Sequence, residues 1–218
     1  MDPSLGERRR ERLKRARLYL VLEDVPDELL HAALEGGVDM LQLRDKEAGD
    51  EEILGAAARF RRACDEHGAL FWLNDRPDLV RASGADGVHL GQRDVPLEEA
   101  RAELGPDVLI GLSTHTPAQL DAALGSGADE LSVGPVRETP TKPGRAAAGL
   151  DYVRYAAAHA GSAPWFAIGG IDLDNVREVL EAGARRIVVV RAIRDAPDPR
   201  AAAAALRAAL EEPGGAAR

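Results

Sequence analysis

One pattern recurs four times along this chain of 218 residues: a helical stretch ends at a glycine, and a short apolar run begins three residues later. The four glycines are Gly37, Gly84, Gly127 and Gly183. Glycine is the usual residue at the left-handed end of a helix, and short apolar runs are typical of strands that are buried on both faces. The repeat therefore predicts helices that alternate with parallel strands.

Four more apolar runs complete a set of eight strands, at residues 17–22, 69–73, 108–112 and 165–168. Helical periodicity fills the gaps between strands, and an alanine-rich stretch at 198–210 supplies the last helix. Eight strands and eight helices predict a single (β/α)8 TIM barrel of the α/β class. The alternative is an open doubly wound sheet, but no Gly-x-Gly-x-x-Gly motif opens its first helix.

We expect the barrel to cover residues 16–212. Residues 1–15 are basic, with two glutamates between the arginines, and are interpreted as a solvated leader that is partly helical. Residues 213–218 are expected to form a flexible tail.

Charge and hydropathy exclude some classes of protein. The chain has 28 basic and 37 acidic residues, so its net charge of −9 argues against nucleic acid as a partner. No apolar run approaches the ~18 residues that a membrane span needs, and the run at 18–22 is too short for a signal peptide. We therefore expect a cytoplasmic protein. The single cysteine, Cys64, is expected to be a small buried side chain rather than a reactive thiol.

Polar residues should collect at the carboxyl ends of the strands, where barrel enzymes bind their substrates. After the second strand, alternation places Gln42, Arg44 and Lys46 on one side. Two cations and an amide suit a diphosphate or polyphosphate, since the guanidinium of Arg44 can bind it with two hydrogen bonds. The alternative is a solvated basic strand end that pairs with Asp45.

Carboxylates follow the next two strands. Asn74 and Asp75 come after the third strand, and Asp94 comes shortly after the fourth. Two carboxylates beside a phosphate-binding cation pair predict a Mg²⁺ site, because Mg²⁺ is held by one or two carboxylates together with substrate oxygens. The alternative is that each aspartate caps the helix that follows it.

The remaining strand ends predict a second anion site. Ser113 follows the fifth strand as a hydrogen-bond donor, and His115 nearby is interpreted as structural. The loop at 133–144 after the sixth strand contains Thr139, Pro140, Thr141 and Lys142 between prolines and glycines. Gly170 follows the seventh strand, and Val190 and Arg191 follow the eighth, where phosphate-binding barrels hold their phosphate. The sequence shows no nucleophile, base and orienting group in series, so these sites predict the joining of two phosphorylated substrates with a metal-bound pyrophosphate as leaving group.

With these motifs in place, the sequence resembles the thiamine phosphate synthase family. The matching segments cover most of the barrel in order, and each lies at a strand end. They are Gln42 to Lys46, Asn74-Asp75, Gly87 to Asp94, Gly111 to Thr116, Gly134-Pro135 with Thr139 to Lys142, and Ile168 to Ile171.

The resemblance implies an activity and a role for each matching residue. Such enzymes join 4-amino-2-methyl-5-(diphosphooxymethyl)pyrimidine to thiazole phosphate or its carboxylate, and release pyrophosphate. The catalytic residues would be Arg44, Lys46, Ser113 and Lys142, with Ser113 and Lys142 on the diphosphate. Gln42 and Asn74 would bind the pyrimidine substrate, and Asp75 and Asp94 would hold Mg²⁺. The thiazole phosphate would be bound by Thr139, Pro140, Thr141, Gly170, Val190 and Arg191.

The chain departs from the family pattern at two places. Arg137-Glu138 stands where the family often has Phe-Pro, and Arg191 stands where it often has serine. Two alternative functions are a thiazole tautomerase of the same fold, which needs neither diphosphate nor Mg²⁺, and a non-catalytic binder of phosphorylated thiamine precursors. The proline and glycine residues of the 133–144 loop predict a lid that orders when both substrates are bound.

Overall fold

The computed structural model describes residues 3–138 and 146–211. Eight parallel strands form a closed barrel in sequence order, and the last strand pairs with the first. This confirms the predicted (β/α)8 barrel. The strands are β1 Leu18–Leu22, β2 Met40–Leu43, β3 Leu70–Asn74, β4 Gly87–Leu90, β5 Leu109–Thr114, β6 Glu130–Val133, β7 Trp165–Ile168 and β8 Ile187–Val189.

Helices cover the outside of the barrel, and the four repeat glycines end helical segments as predicted. Their φ angles are 99° at Gly37, 69° at Gly84, 83° at Gly127 and 108° at Gly183, which lie in the left-handed region. Within the described ranges, no helix is both long and apolar enough to cross a membrane. The helices are α1 Leu5–Arg15, α2 Asp27–Glu35, α3 Asp50–His67, α4 Val80–Ser83, α5 Leu97–Leu104, α6 Pro117–Leu124, α7 Gly149–His159, α8 Val176–Glu181, α9 Arg191–Arg194 and α10 Pro199–Glu211.

Strand β5 continues two residues beyond its predicted end. Ser113 and Thr114 pair with Ser132 and Val133 of β6, and both side chains are buried. The hydroxyl of Thr114 donates a hydrogen bond to the carbonyl of Ser132 at 2.8 Å. Because these buried polar groups have hydrogen-bond partners, the strand does not end where the apolar run ends.

The apolar core has two parts. A large cluster lies between the strands and the helices, and a smaller one fills the barrel interior around Tyr19, Trp72 and Phe166. The aromatic rings of Tyr19 and Phe166 pack edge to face, with centroids 5.6 Å apart. Leu13 of α1 belongs to the interior cluster and is 1% exposed. The amino-terminal end of the barrel is therefore closed by α1.

The structure corrects the expectation of a solvated leader for residues 5–15. Ser4 caps α1 through a capping box with Glu7, and Arg9 and Arg10 form ion pairs with Asp86 at 2.8 Å and Asp129 at 2.7 Å. The arginines are paired with carboxylates that lie far along the chain, which the composition of the segment does not show. The predicted boundaries at 16 and 212 stay predictions, and the predicted tail at 213–218 lies outside the described residues.

Candidate active site

A cavity of about 370 Å³ opens at the carboxyl ends of the strands. Residues from all eight strands and from the loops that follow them line it, so the lining is drawn from the whole circumference of the barrel. The cavity brings seven of the predicted site residues together: Gln42, Arg44, Asn74, Ser113, Gly170, Val190 and Arg191.

Gln42 and Tyr19 form a buried polar pair at the side of this cavity. The Gln42 side chain is 3% exposed, and its amide donates a hydrogen bond to the Tyr19 hydroxyl. Burial, followed by the nearby Glu130 carboxylate, raises the pKa of Tyr19 well above its ordinary value. The phenol is therefore neutral, and the amide of Gln42 is held in one orientation.

Arg44 lies at the exit of β2 and is partly exposed. Among residues 3–138 and 146–211, no carboxylate forms an ion pair with its guanidinium. Arg76, on the neighbouring loop, is by contrast paired with both Asp50 and Asp78 at 2.7 Å. Arg44 thus brings a positive charge to the cavity that a bound anion can neutralise.

Lys46, Asp75 and Asp94 lie beside the cavity rather than in its lining. The Lys46 ammonium is 3.0 Å from a carboxylate oxygen of Asp75, and the Asp75 and Asp94 carboxyl groups lie close enough to shift each other's pKa. The structure therefore brings both predicted metal ligands together with one of the predicted cations.

The two carboxyl groups have opposite pKa shifts. Burial of Asp75 opposes ionisation, but hydrogen bonds from Asp94 and Lys46 outweigh it and lower its pKa. Burial and the neighbouring Asp75 raise the pKa of Asp94. Two neighbouring carboxyl groups repel each other when both are ionised, and a bound divalent cation offsets that repulsion. The donor set therefore fits Mg²⁺, which takes one or two carboxylates and fills its other positions with water or substrate oxygens.

The backbone at Asp75 supports a functional role for this residue. Its φ angle is 58°, and among the residues that the structure describes it is the only non-glycine residue with a left-handed conformation. Such a conformation costs roughly 1–3 kcal/mol and persists where the surrounding structure imposes it. Here the Asp75 amide donates a hydrogen bond to the carbonyl of His89 at 2.9 Å, which ties the end of β3 to β4.

The structure also contains a series of buried polar groups that the sequence interpretation missed. Oε2 of Glu130 lies 2.9 Å from Nδ1 of His89, and Nε2 of His89 lies 2.9 Å from Oγ of Ser113. The expectation that the chain lacks a nucleophile, base and orienting group in series is therefore wrong in geometric terms. One signal was available in the sequence: Glu130 begins a strand that is buried on both faces, where a carboxylate requires a partner.

His115 takes part in two hydrogen bonds, and its interpretation as a structural residue stays a prediction. Its Nδ1 lies 2.7 Å from the carbonyl oxygen of Gly134, and its backbone amide donates to Gln119 at 2.8 Å. These contacts join the end of β5 to the end of β6 and to the start of α6. The ring also lines the cavity.

Beyond β6, the backbone keeps pairing with the segment that follows β7. The amides of Val136 and Arg137 donate to the carbonyls of Ile168 at 2.8 Å and Gly169 at 3.1 Å. Gly169 has a φ of 108°, and a Cβ at this position would lie 2.6 Å from Pro135. Arg137 points outward and pairs with Glu178 at 2.7 Å. The predicted substrate contacts of Thr139, Pro140, Thr141 and Lys142, and the predicted lid, lie outside the described residues.

The fold and the cavity define a class of protein: a (β/α)8 barrel enzyme with a cavity at the carboxyl ends of its strands that contains a cationic side chain. Comparison with known proteins is more specific. The chain belongs to the thiamine monophosphate synthase family, whose model matches residues 18–193.

Individual relatives agree with this assignment. A thiamine-phosphate synthase from Thermus thermophilus is 56% identical over 201 residues, which cover 89% of this chain and 97% of that protein. One from a Nostoc species is 52% identical over 199 residues; the match covers 89% of this chain and 56% of the longer Nostoc protein. Among solved structures, a thiamine phosphate pyrophosphorylase from Pyrococcus furiosus has a TM-score of 0.83 and 36% identity, with 93% of this chain and 98% of that chain covered.

Proposed function

We propose that this enzyme condenses 4-amino-2-methyl-5-(diphosphooxymethyl)pyrimidine with thiazole phosphate, or its carboxylate, to give thiamine phosphate and pyrophosphate. When the carboxylate is the substrate, CO₂ is released as a third product. The observation that carries the proposal is the cavity that joins Gln42, Arg44, Asn74 and Ser113 to Gly170, Val190 and Arg191. Relatives named thiamine-phosphate synthase that are more than 50% identical support it. No observation favours the tautomerase or the non-catalytic binder.

In this proposal, the pyrimidine diphosphate occupies the side of the cavity formed by β2 to β5. Arg44 and Lys46 neutralise its phosphates, together with Lys142, while Gln42 and Asn74 hold the rest of the substrate. The support is the positive charge of Arg44, which no carboxylate of the described residues neutralises, and the fixed orientation of the Gln42 amide. Cations held in place before the reaction stabilise charge as it develops on the leaving group.

Asp75 and Asp94 are the proposed ligands of Mg²⁺. When bound there, the ion would supply charge neutralisation to the departing pyrophosphate. The proximity of the two carboxyl groups, which shift each other's pKa, and the left-handed backbone of Asp75 support this assignment. Lys46, 3.0 Å from Asp75, keeps a second positive charge at the same place.

The thiazole phosphate is proposed to bind at the ends of β6 to β8. Gly170 has a φ of 66° and lies in the cavity lining, as do Val190 and Arg191. Backbone amides in such turns and at the start of a helix bind phosphate without a charged side chain. Thr139, Pro140 and Thr141 are expected to complete this site.

The protein then needs to position two substrates rather than to attack either of them. Loss of pyrophosphate leaves positive charge on the methylene carbon of an electron-rich aminopyrimidine, and the thiazole nitrogen forms the new bond to that carbon. Holding the two reactants in contact converts a bimolecular reaction into an effectively unimolecular one. Small molecules are thus the expected partners, and the cytoplasmic location stays a prediction.

The test is the release of pyrophosphate from the two purified substrates in the presence of Mg²⁺. Dependence of release on both substrates, with thiamine phosphate formed in equal amount, is the expected result. Tight binding of the pyrimidine diphosphate without release would instead indicate a binding protein. Lys142→Ala is expected to lower the release of pyrophosphate without weakening the binding of thiazole phosphate, and equal losses of both would contradict its role on the diphosphate.

A further inference from the structure

Glu130, His89 and Ser113 connect the barrel interior to the substrate cavity. Glu130 is fully buried, and His89 and Ser113 are 8% and 3% exposed while both contribute to the cavity lining. Both links of the series measure 2.9 Å. A carboxylate is thereby connected to a hydroxyl that faces the substrate.

The neighbouring backbone leaves room for this arrangement. A Cβ at position 111 would lie 2.2 Å from Oε2 of Glu130 and 2.8 Å from Nδ1 of His89. Because residue 111 is a glycine, no Cβ occupies this space, and Glu130 and His89 can contact each other there. The local sequence of β5 is therefore matched to a polar group on β6.

The arrangement of Glu130, His89 and Ser113 does not favour the stability of the folded protein. Oε1 of Glu130 and the indole N–H of Trp72 are buried without a hydrogen-bond partner among the described residues. A buried charge with incomplete pairing costs several kcal/mol, and well-packed apolar residues are often as stable or more so. A costly buried group that is linked to the cavity lining through His89 indicates a role in function.

The chemistry of the three groups sets the direction of each hydrogen bond. An ionised carboxylate only accepts, so Nδ1–H of His89 donates to Glu130. In a neutral imidazole the other nitrogen is then an acceptor, and Nε2 receives the Ser113 proton. The hydroxyl of Ser113 thus turns its donor away from the cavity and presents its lone pairs to the substrate.

We propose that His89 and Glu130 are positioning residues that hold Ser113 as a hydrogen-bond acceptor for the amino group of the pyrimidine substrate. This inference depends on the proposed function and changes one part of it. An acceptor is unsuited to the oxygens of a diphosphate, so the partner of Ser113 moves from the diphosphate to the aminopyrimidine ring. Arg44 and Lys46 remain the groups for the diphosphate.

Glu130→Gln removes the acceptor-only group that fixes this direction, while it preserves shape. Its amide can donate to Nδ1, which leaves the proton of His89 on Nε2 and turns the Ser113 donor toward the cavity. We expect kcat/KM for pyrophosphate release to fall about 10- to 100-fold, the cost of facing a buried donor with another donor. A 4-oxo analogue of the pyrimidine diphosphate carries an acceptor instead, and it should inhibit Glu130→Gln more strongly than it inhibits the unaltered enzyme.

A loss of packing alone would lower kcat/KM, but it would not make the 4-oxo analogue a stronger inhibitor of the variant than of the unaltered enzyme. Asp129→Asn is the matched control, because Asp129 directly precedes Glu130 and its buried carboxylate pairs with Arg10 and Arg101 instead of reaching His89. It should lower the unfolding temperature and leave the kcat/KM of the folded enzyme unchanged. Unaltered kcat/KM in Glu130→Gln, or stronger inhibition of the unaltered enzyme by the 4-oxo analogue, would overturn the proposal.

A spectroscopic test is independent of the reaction. In ¹⁵N-histidine-labelled protein, two-dimensional ¹H–¹⁵N spectra distinguish the two neutral tautomers, and His89→Asn identifies the signals of His89. We expect the proton on Nδ1 in the unaltered enzyme and on Nε2 in Glu130→Gln. A proton on Nε2 of the unaltered enzyme would overturn the inference even if pyrophosphate is released normally. Failure of the unaltered enzyme to release pyrophosphate would contradict only the proposed function and the substrate partner assigned to Ser113.

Discussion

The two ends of the barrel are built from the same charged residue types and use them in opposite ways. At the amino-terminal end, Asp39, Asp86 and Asp129 each accept backbone N–H groups and an arginine. At the carboxyl end, Arg44 has no ion pair among the described residues, and two aspartates face each other. The number of charges does not distinguish a structural region from a functional one; the completeness of their pairing does.

The paired end has a regular origin in the sequence. Asp39, Asp86 and Asp129 each follow a repeat glycine by two residues, and each reaches back to the start of the preceding strand in the barrel. Their carboxylates accept from the amides of Leu18 at 3.0 Å, Phe71 at 2.9 Å and Ile110 at 2.9 Å, respectively. The repeat is thus a hydrogen-bonded join between adjacent strands as well as a helix end.

The largest expected effect is on stability, at the paired end. Asp86→Ala removes the partner of Arg9 and Arg61 and the acceptor of the Phe71 amide. Loss of one member of a buried ion-pair network should lower the free energy of unfolding by about 3–5 kcal/mol, as measured by urea denaturation. Asp65→Ala is the control, since Asp65 also pairs with Arg61 but is exposed, and it should cost less than about 1 kcal/mol. Equal losses of unfolding free energy in the two variants would show that burial does not determine how much these ion pairs contribute to stability.

Arg44→Ala should affect activity without affecting stability. We expect kcat/KM for pyrophosphate release to fall roughly 10²- to 10³-fold, because a fixed cation for the leaving group is lost. The midpoint of urea unfolding should not change. Arg9→Ala, at the opposite end, should show the reverse pattern, with a lower midpoint and an unchanged kcat. A loss of activity in both variants would remove the distinction between the two ends.

Asp94→Asn tests the facing carboxylates. The Mg²⁺ concentration that gives half-maximal pyrophosphate release should rise roughly 10- to 100-fold, a change typical for weakened metal sites. Calorimetric titration with Mn²⁺ should show the same loss without turnover. Asp65→Asn serves as an exposed control that should leave both measurements unchanged. A rate and a Mg²⁺ dependence like those of the unaltered enzyme would exclude Asp94 as a ligand.

The smallest effect is expected at Cys64, which is buried near the last turn of α3 beside the start of β3. Burial raises the pKa of its thiol to about 12, so almost no thiolate is present at pH 8. The thiol should therefore resist a maleimide in the native protein and react fully in denaturant, as followed by mass spectrometry. Stoichiometric labelling within minutes under native conditions would show that this region opens far more often than its burial implies.

The barrel and seven residues of the cavity lining could be predicted because both depend on local patterns. A strand buried on both faces produces a short apolar run, and polar residues at its carboxyl end are a short distance away in sequence. Gln42, Arg44 and Ser113 were found in this way, and the cavity brings them together.

The missed features depend on contacts between distant parts of the chain. His89 and Glu130 are 41 residues apart and meet only because β4 and β6 both flank β5. Arg10 and Asp129 are 119 residues apart. A basic stretch with alternating glutamates has the composition of a solvated helix, and only the position of its partners shows that it closes the barrel.

The docking of α1 has a consequence for the order of folding. During synthesis, Arg10 is complete 119 residues before Asp129 is added, which at about 5–20 residues per second is a delay of roughly 6–24 s. Until then, Leu13 and the arginines of α1 have no barrel to join. The nascent chain therefore carries a basic, partly apolar helix before the residues that bind this helix have been synthesised. A chaperone that recognises such segments would bind α1 before the barrel forms.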